Sequence, residues 1–536
     1  MFHRKAVSSE SVDDPRKPLV WTDPSGNTYH YFERPFFKAT IFVLTMEMCE
    51  RLAFTGLLPN LKNFLNEFLH YDDSTAYSYI SDFQAIMYFT PLIGAAIADT
   101  LLGLYKTIII FAAIYMVGLV FVVLAAVPSI SEPWMVHLGL MALIGLGSGG
   151  IKSCVNVMGA QQFHPELHKS DITRYYTYFY ASIQIGSIIG GIVTPFVVEG
   201  VSYFAAFCIP LAAFVVGFAI FLFASFNGRY VKPKPQGSAV IQVAEVIGSA
   251  SMKCSLEKCK KSHGGKYEDG FIEDAKMLFR LIPLFCLIIP FMIAYQQMTT
   301  AWVTQGSKMD RDTFGWDIPV PLMQNVDPIA VALTSVVVDG ALYPALRRWG
   351  LMPSPLVRCA IGSFSGAVAL VCSLIVEYVV MANPVFTVSI WWQVLQYWFI
   401  AVGEIFLVST SYEIAFTNSP SSLKAVASAI NLLFFSIAGL ISGALFNACS
   451  SWMPTFDPSN PTEATVKGAH YDYFFILLAC ISAIGGVCAL CLIPYYNKVS
   501  RENQAHLEEE EEAVSSKKSS EELSMKESID TEPSNV

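Results

Sequence analysis

The apolar stretch from Phe37 to about Leu58 is interrupted at its middle by Glu47-Met48-Cys49-Glu50-Arg51. With ~3.6 residues per helical turn, separations of three and four place Glu47, Glu50 and Arg51 on one face. Each ionisable group costs roughly 2.5–3.5 kcal/mol at the centre of a membrane helix. A chain that keeps three of them there has them pair with one another and border a water-filled path. That arrangement belongs to a carrier rather than to a membrane anchor.

Two further groups sit equally deep. Lys152 follows Gly145-Leu146-Gly147-Ser148-Gly149-Gly150-Ile151 inside an apolar run. Gly145 and Gly149, four apart, should face a neighbouring helix at close range. A lysine near a helix end often snorkels to the surface, but the carboxylates of the first span make a functional pair the better reading of Lys152. Glu404 lies at the midpoint of another apolar run, flanked by Val402, Ile405, Phe406 and Leu407. A carboxylate held at that depth can take up and release a proton as its surroundings change. Glu413, nine residues on, is nearer the end of the run, and a structural ion pair accounts for it equally well. Tyr88, Gln296, Gln297, Trp302 and Asn325 add aromatic or hydrogen-bonding groups at membrane depth. An ammonium group on one side and a carboxylate on the other suit a zwitterion such as an amino acid or short peptide.

The elements that carry these groups follow from composition. The chain has 536 residues, 54% hydrophobic and only 15% charged, well below the roughly 25% charged content of soluble domains. Apolar runs long enough to span a bilayer lie near 37–58, 79–102, 108–127, 135–158, 176–198 and 203–224. A second set lies near 281–303, 327–346, 355–380, 390–416, 425–446 and 473–494. The expected protein is all-α, with twelve transmembrane helices in two six-helix bundles, 37–224 and 281–494. A central loop spans 225–280, with terminal segments at 1–36 and 495–536.

Lys106, Lys169, Arg174, Arg347, Arg348, Arg358 and Lys424 fall in or beside alternate loops, on the side of both termini. The basic central loop shares that side. Opposite loops carry only Lys62, Lys308, Arg311 and Lys467, so both termini are expected in the cytoplasm. The first 36 residues lack a short apolar core, and the first span is expected to direct insertion. Much of the net charge of −10 sits in the tail, where Glu508 to Glu512 run consecutively. Such a segment cannot bury enough apolar surface to fold, although it could recruit a cytoplasmic partner. Of twelve cysteines, most fall in apolar spans, where thiols behave as small hydrophobes. Cys254, Cys259 and His263 lack the fourth ligand and close pairing of a zinc site. No metal or cofactor is expected, protons being the coupling ion, and nothing in the pattern suits nucleic acid. Nucleophile-elbow and phosphate-loop motifs are lacking, so an enzyme is not expected.

After the second span, Gly94-Ala95-Ala96-Ile97-Ala98-Asp99 and Gly103-Leu104-Tyr105-Lys106 set an acid and a base across a tight turn. The turn resembles the gating loop of the major facilitator superfamily, which makes Asp99 and Lys106 candidate gating residues. Glu47-x-x-Glu50-Arg51, Gly149-Gly150-Ile151-Lys152, Phe179-Tyr180-x-x-Ile183-x-x-Gly186-Ser187, Gly403-Glu404 and Pro420-x-Ser422-x-Lys424 extend the match. This ordered set resembles the proton-dependent oligopeptide transporters (peptide transporters, solute carrier family 15) from about Phe37 to Pro494. The resemblance implies uptake of di- and tripeptides with protons. It assigns proton coupling to Glu47, Glu50 and Arg51, the substrate carboxylate to Lys152, and the substrate amine to Glu404, whose depth already makes it a proton-coupling candidate as well. Tyr88 matches a cavity tyrosine. Gln184, Gln297, Asn325 and Trp302 complete the expected substrate contacts.

The chain also departs from that pattern. Phe54-Thr55 stands where many relatives have Tyr-Tyr, Leu58 where bacterial members have a further arginine, Gln184 where an asparagine is usual, and Ser153 where a proline is usual. Ser81 replaces the helix-two histidine of intestinal-type animal members, and their acidic residue is absent from Tyr295-Gln296-Gln297. Only a short loop separates Val380 from Ile390, so their large outer domain is missing. The helix-seven segment looks closer to the plant and peptide/histidine branches, which include carriers of nitrate and histidine. A carrier of such solutes is therefore the second reading, and a substrate-sensing receptor or scaffold the third. The plasma membrane is the expected site, with an endolysosomal or vacuolar membrane as the alternative.

Overall fold

The computed structural model describes residues 16–22, 27–165, 167–235, 239–253, 256–313, 315–420, 423–456, 461 and 463–505. The acidic run Glu508–Glu512 and the side chains of Lys169, Arg174 and Lys424 lie outside them.

Apolar runs of membrane length become helices because only a helix satisfies its own backbone polar groups in lipid. The first six are α1 (Ile41–Asn63), α2 (Asp73–Leu102), α3 (Leu104–Ala125), α4 (Pro133–Ala160), α5 (Lys169–Gly200) and α6 (Tyr203–Phe226). The second six are α7 (Asp269–Phe285 with Ile288–Ser307), α8 (Val320–Arg348), α9 (Pro355–Ala382), α10 (Ile390–Ala415), α11 (Lys424–Cys449) and α12 (Tyr471–Cys491). Ten of these are long and apolar enough to cross a membrane, and α7 makes eleven as a bent pair. α1 is as long but carries Glu47, Glu50, Arg51 and Lys62, charges that lower its apolarity, and completes the twelve. Short side chains seal several helix starts. Asp72 accepts from the Thr75 amide at 3.1 Å, and Ser202 from the Ala205 amide at 3.2 Å.

Two refinements concern α7 and the N-terminal segment. α7 begins twelve residues before the expected boundary and bends by 48° between Phe285 and Ile288. Pro290 explains the break, since it has no N–H to offer the Cys286 carbonyl one turn earlier. Within the segment read only as polar, β1 (Leu19–Thr22) and β2 (Thr28–Tyr31) form an antiparallel hairpin with Leu19 opposite Tyr31. The hairpin rests on the first bundle, where Lys17 reaches the Tyr230 carbonyl at 3.4 Å and Tyr31 packs edge-on against His164.

Each half has its own core. Leu44, Phe83, Phe111 and Phe207 belong to one, and Phe291, Tyr397, Phe435 and Phe474 to the other. Tyr77 of α2 crosses over and stacks on Phe446 of α11, ring centroids 3.9 Å apart. The halves touch chiefly where α2 meets α11 and α5 meets the start of α8. Small residues permit both approaches. A Cβ on Gly443 would lie 3.2 Å from Cβ of Ser81, and one on Gly191 would collide with the Asn325 amide.

The inter-bundle hydrogen bonds described lie away from the end that carries the termini. Tyr77 bonds Gln297 and Ser442, each at 2.9 Å, and Ser74 donates to Asn447 at 2.6 Å. The Phe456 amide approaches the Asp73 carboxylate at 3.4 Å, Asn325 donates to the Gly191 carbonyl at 2.8 Å, and Arg311 pairs with Glu199. The conformation is thus closed at the end opposite the termini.

Candidate functional site

α4 approaches α2 so closely that a Cβ on Gly149 would overlap the Thr90 backbone, while Thr90 donates to the Gly145 carbonyl at 2.7 Å. The expected glycine face is therefore a real helix contact, and it brings Lys152 to the centre of the molecule. Its ammonium lies 4.8 Å from the ring centroid of Phe54 and 5.7 Å from that of Tyr88. Arg51 stands 5.5 Å from the same Phe54 ring. Phe54 is the position where the sequence departs from a tyrosine pair, and its ring lies within cation–π reach of both cations.

Arg51 is held by α1 itself. Its Nε is 3.2 Å from Glu47 Oε1, and its Nη2 pairs with Glu50. Glu47 and Glu50 are buried, so the trio forms a compact cluster under Phe54 rather than part of the cavity wall. Burying such charges is tolerable only because they are paired.

The cavity lies between the halves and has a volume of about 240 Å³. Lys152, Tyr88 and Gln184 reach it from the first half, and Glu404, Asn325 and Tyr295 from the second. Glu404 opens a widened π turn, Glu404–Val408, in α10, a local irregularity often found at functional positions. Its Oε2 is buried and meets no hydrogen-bond donor.

The remaining expected contacts fall elsewhere. Gln297 is buried between α2, α7 and α11, bonded to Tyr77, Ser442 and the Ile293 carbonyl. Trp302 has no exposed surface and packs edge-on against Tyr397. Both lie at membrane depth, but Gln296, Gln297, Thr299 and Gln305 put polar groups on several sides of α7, so sequence could not tell which side faces the cavity. Asn325 lines the cavity, yet its amide is already committed to Gly191 and to the Leu322 carbonyl. Asp99 and Lys106 stand at the end of α2 and start of α3, where no ion pair joins them, and Lys106 is exposed. Glu413 makes two bonds to Arg358, at 2.7 and 2.8 Å, the structural pair that its position allowed.

Sequence reading missed Asp327, Gln84, Thr299 and Gln324 in the cavity lining. Asp327 was legible as an acid at the edge of the eighth apolar run. It also missed two buried pairs. Lys308 and Glu377, both without exposed side-chain surface, meet at 3.0 Å, and Lys62 meets Asp73 at 2.9 Å. By sequence alone, Lys62 and Lys308 read as loop cations.

Comparison with known proteins decides the family. The family model described as PTR2, POT family, matches residues 105–457. The chain belongs to the POT family. The Arabidopsis thaliana Protein NRT1/PTR FAMILY 8.5 is 28% identical over 533 residues, covering 86% of this chain and 90% of that protein. Human Solute carrier family 15 member 2 is 33% identical over 392 residues, covering 69% of this chain. The POT chain spans about half of that relative, 52%. In fold it matches the crystal structure of an auto-inhibited POT family peptide transporter, with a TM-score of 0.71 at 23% identity, covering 85% of this chain and 96% of that one. The POT family transporter PepTSo gives 0.72 at 20% identity, covering 87% and 98%. This chain is thus a multi-pass membrane transporter of the major facilitator type, as expected.

Proposed function

We propose that this POT transporter is a proton-coupled symporter of di- and tripeptides working by alternating access. The observation that carries the reading is that Lys152 and Glu404 enter one cavity from opposite halves, each without an ion-pair partner among the described residues. A peptide's carboxylate would meet Lys152 and its amine Glu404, so that bound substrate draws the halves together. Arg51, held between Glu47 and Glu50, would exchange partners as protons arrive and leave. Opening toward the side of the termini, taken as cytoplasmic, would release substrate and protons. An inward-moving net positive charge gains ~2.3 kcal/mol per 100 mV of membrane potential. Labelled dipeptide uptake into proteoliposomes, with and without an imposed proton gradient, tests the scheme. Uptake that ignores the gradient removes it.

A second reading, a carrier of histidine, nitrate or another small metabolite, draws on the NRT1/PTR relatives. Unpaired carboxylates in the cavity favour an amine-bearing cargo over a bare anion. Competition among dipeptide, histidine and nitrate for uptake separates these cargoes. A sensing or scaffolding role for the tail is tested by its deletion, which would abolish a signalling output while sparing transport. We place the carrier in the plasma membrane, with both termini cytoplasmic; surface labelling of intact cells tests that placement.

A further inference from the structure

Asp327 lies in the first turn of the regular part of α8, on the second half, and is 7% exposed. It lines the same cavity as Glu404. Asp327 Oδ1 and Glu404 Oε2 are both buried and meet no hydrogen-bond donor. An acid at a helix start usually accepts from the free N–H groups there, and this oxygen takes none of them. Facing these two carboxylates, Lys152 is the one cation in the cavity lining among the described residues. It stands on the other half, over Phe54 and Tyr88. Arg51 is already engaged by Glu47 and Glu50. A simple zwitterion supplies one ammonium to the second half and leaves one of its two carboxylates unmatched. Burying an unmatched charge is unfavourable.

We propose that Glu404 and Asp327 together form a dicationic subsite, selecting ligands that carry a second positive charge beside the α-amine, such as peptides with a basic side chain. Glu404 takes one ammonium and Asp327 the other, while Lys152 keeps the ligand carboxylate. The proposal rests on the cargo reading above only for the carboxylate end; the acid pair concerns the cationic end alone.

The test uses the full chain in proteoliposomes, with alanyl-lysine and its neutral counterpart alanyl-norleucine competing for labelled alanyl-alanine uptake. One added charge-assisted contact corresponds to a preference of about tenfold for alanyl-lysine. That preference should collapse in Asp327→Asn and persist in Asp327→Glu. Equal competition by the two dipeptides in the wild type overturns the subsite, and would mean that a proton balances the second carboxylate. An undiminished preference in Asp327→Asn overturns it as well. Should Asp327→Asn fail to fold, the wild-type comparison alone still decides. A transport-independent arm measures thermal stabilisation of the purified protein by 1,5-diaminopentane against 1-aminopentane. Diamine-specific stabilisation without dipeptide uptake supports the subsite and removes peptide cargo. Dipeptide uptake with no cationic preference removes the subsite and leaves peptide cargo standing. No uptake and no diamine effect remove both.

Discussion

Lys152 of α4 and Glu404 of α10 reach the same cavity from opposite halves of the molecule, and neither forms an ion pair with any described residue. Charges left open in this way are available to a ligand. Glu404→Gln keeps the shape of the side chain and removes its charge. Coupled uptake should fall about 100-fold or more if the ammonium contact is made in the rate-limiting state. Initial-rate uptake in proteoliposomes, on protein that elutes as the wild type does, checks this.

The buried pair of Lys308 and Glu377 is structural. Lys308 Nζ also lies 4.5 Å from the Tyr471 ring centroid, and Gln305 donates to Glu377 at 2.9 Å. Lys308→Met leaves Glu377 uncompensated and should destabilise the protein by roughly 3–5 kcal/mol. Combining it with Glu377→Gln should recover most of the loss. Thermal unfolding of the single and double variants reads the difference.

Closure opposite the termini depends on α2 and α11 touching at Ser81 and Gly443. Gly443→Leu places a branched side chain where a Cβ already meets Ser81 at 3.2 Å. The closed end should be wedged open. Spin labels at Val201 and Trp316, both exposed at that end, should report a longer distance in the variant, while an unchanged distance would contradict the closure account.

The central loop carries a charge cluster of its own. Lys260 and Lys276 hydrogen-bond Glu257 and hold its carboxyl down at about 2. The folded value lies below the ordinary one, so the contribution to loop stability is present above about pH 4.5 and is lost as pH falls toward 2. Hydrogen exchange over 256–268 should show Glu257→Gln less protected than the wild type at pH 6, the two converging by about pH 2.

Membrane spans were legible because their signal is length and apolarity, and helix direction then follows by alternation. The ionisable residues of α1 were legible because charge in an apolar run is costly wherever it points. Azimuth was not legible. Gln297 and Trp302 are as deep as Tyr88, yet the polar residues of α7 are spread round the helix and give no single cue to its cavity face. Asp327 escaped notice because it sits at the start of an apolar run, where an acid reads as a loop residue or helix cap. Lys62 and Lys308 look like loop cations until the fold supplies Asp73 and Glu377 from 11 and 69 positions away. The bend of α7 at Pro290 was not anticipated, although a proline inside an apolar run is the residue that breaks a helix.

The most direct measurement is labelled dipeptide uptake into proteoliposomes holding the wild type or Lys152→Ala, each with and without an inward proton gradient. The account predicts gradient-driven accumulation by the wild type and its loss in Lys152→Ala. Accumulation indifferent to the gradient, or undiminished in the variant, would contradict it.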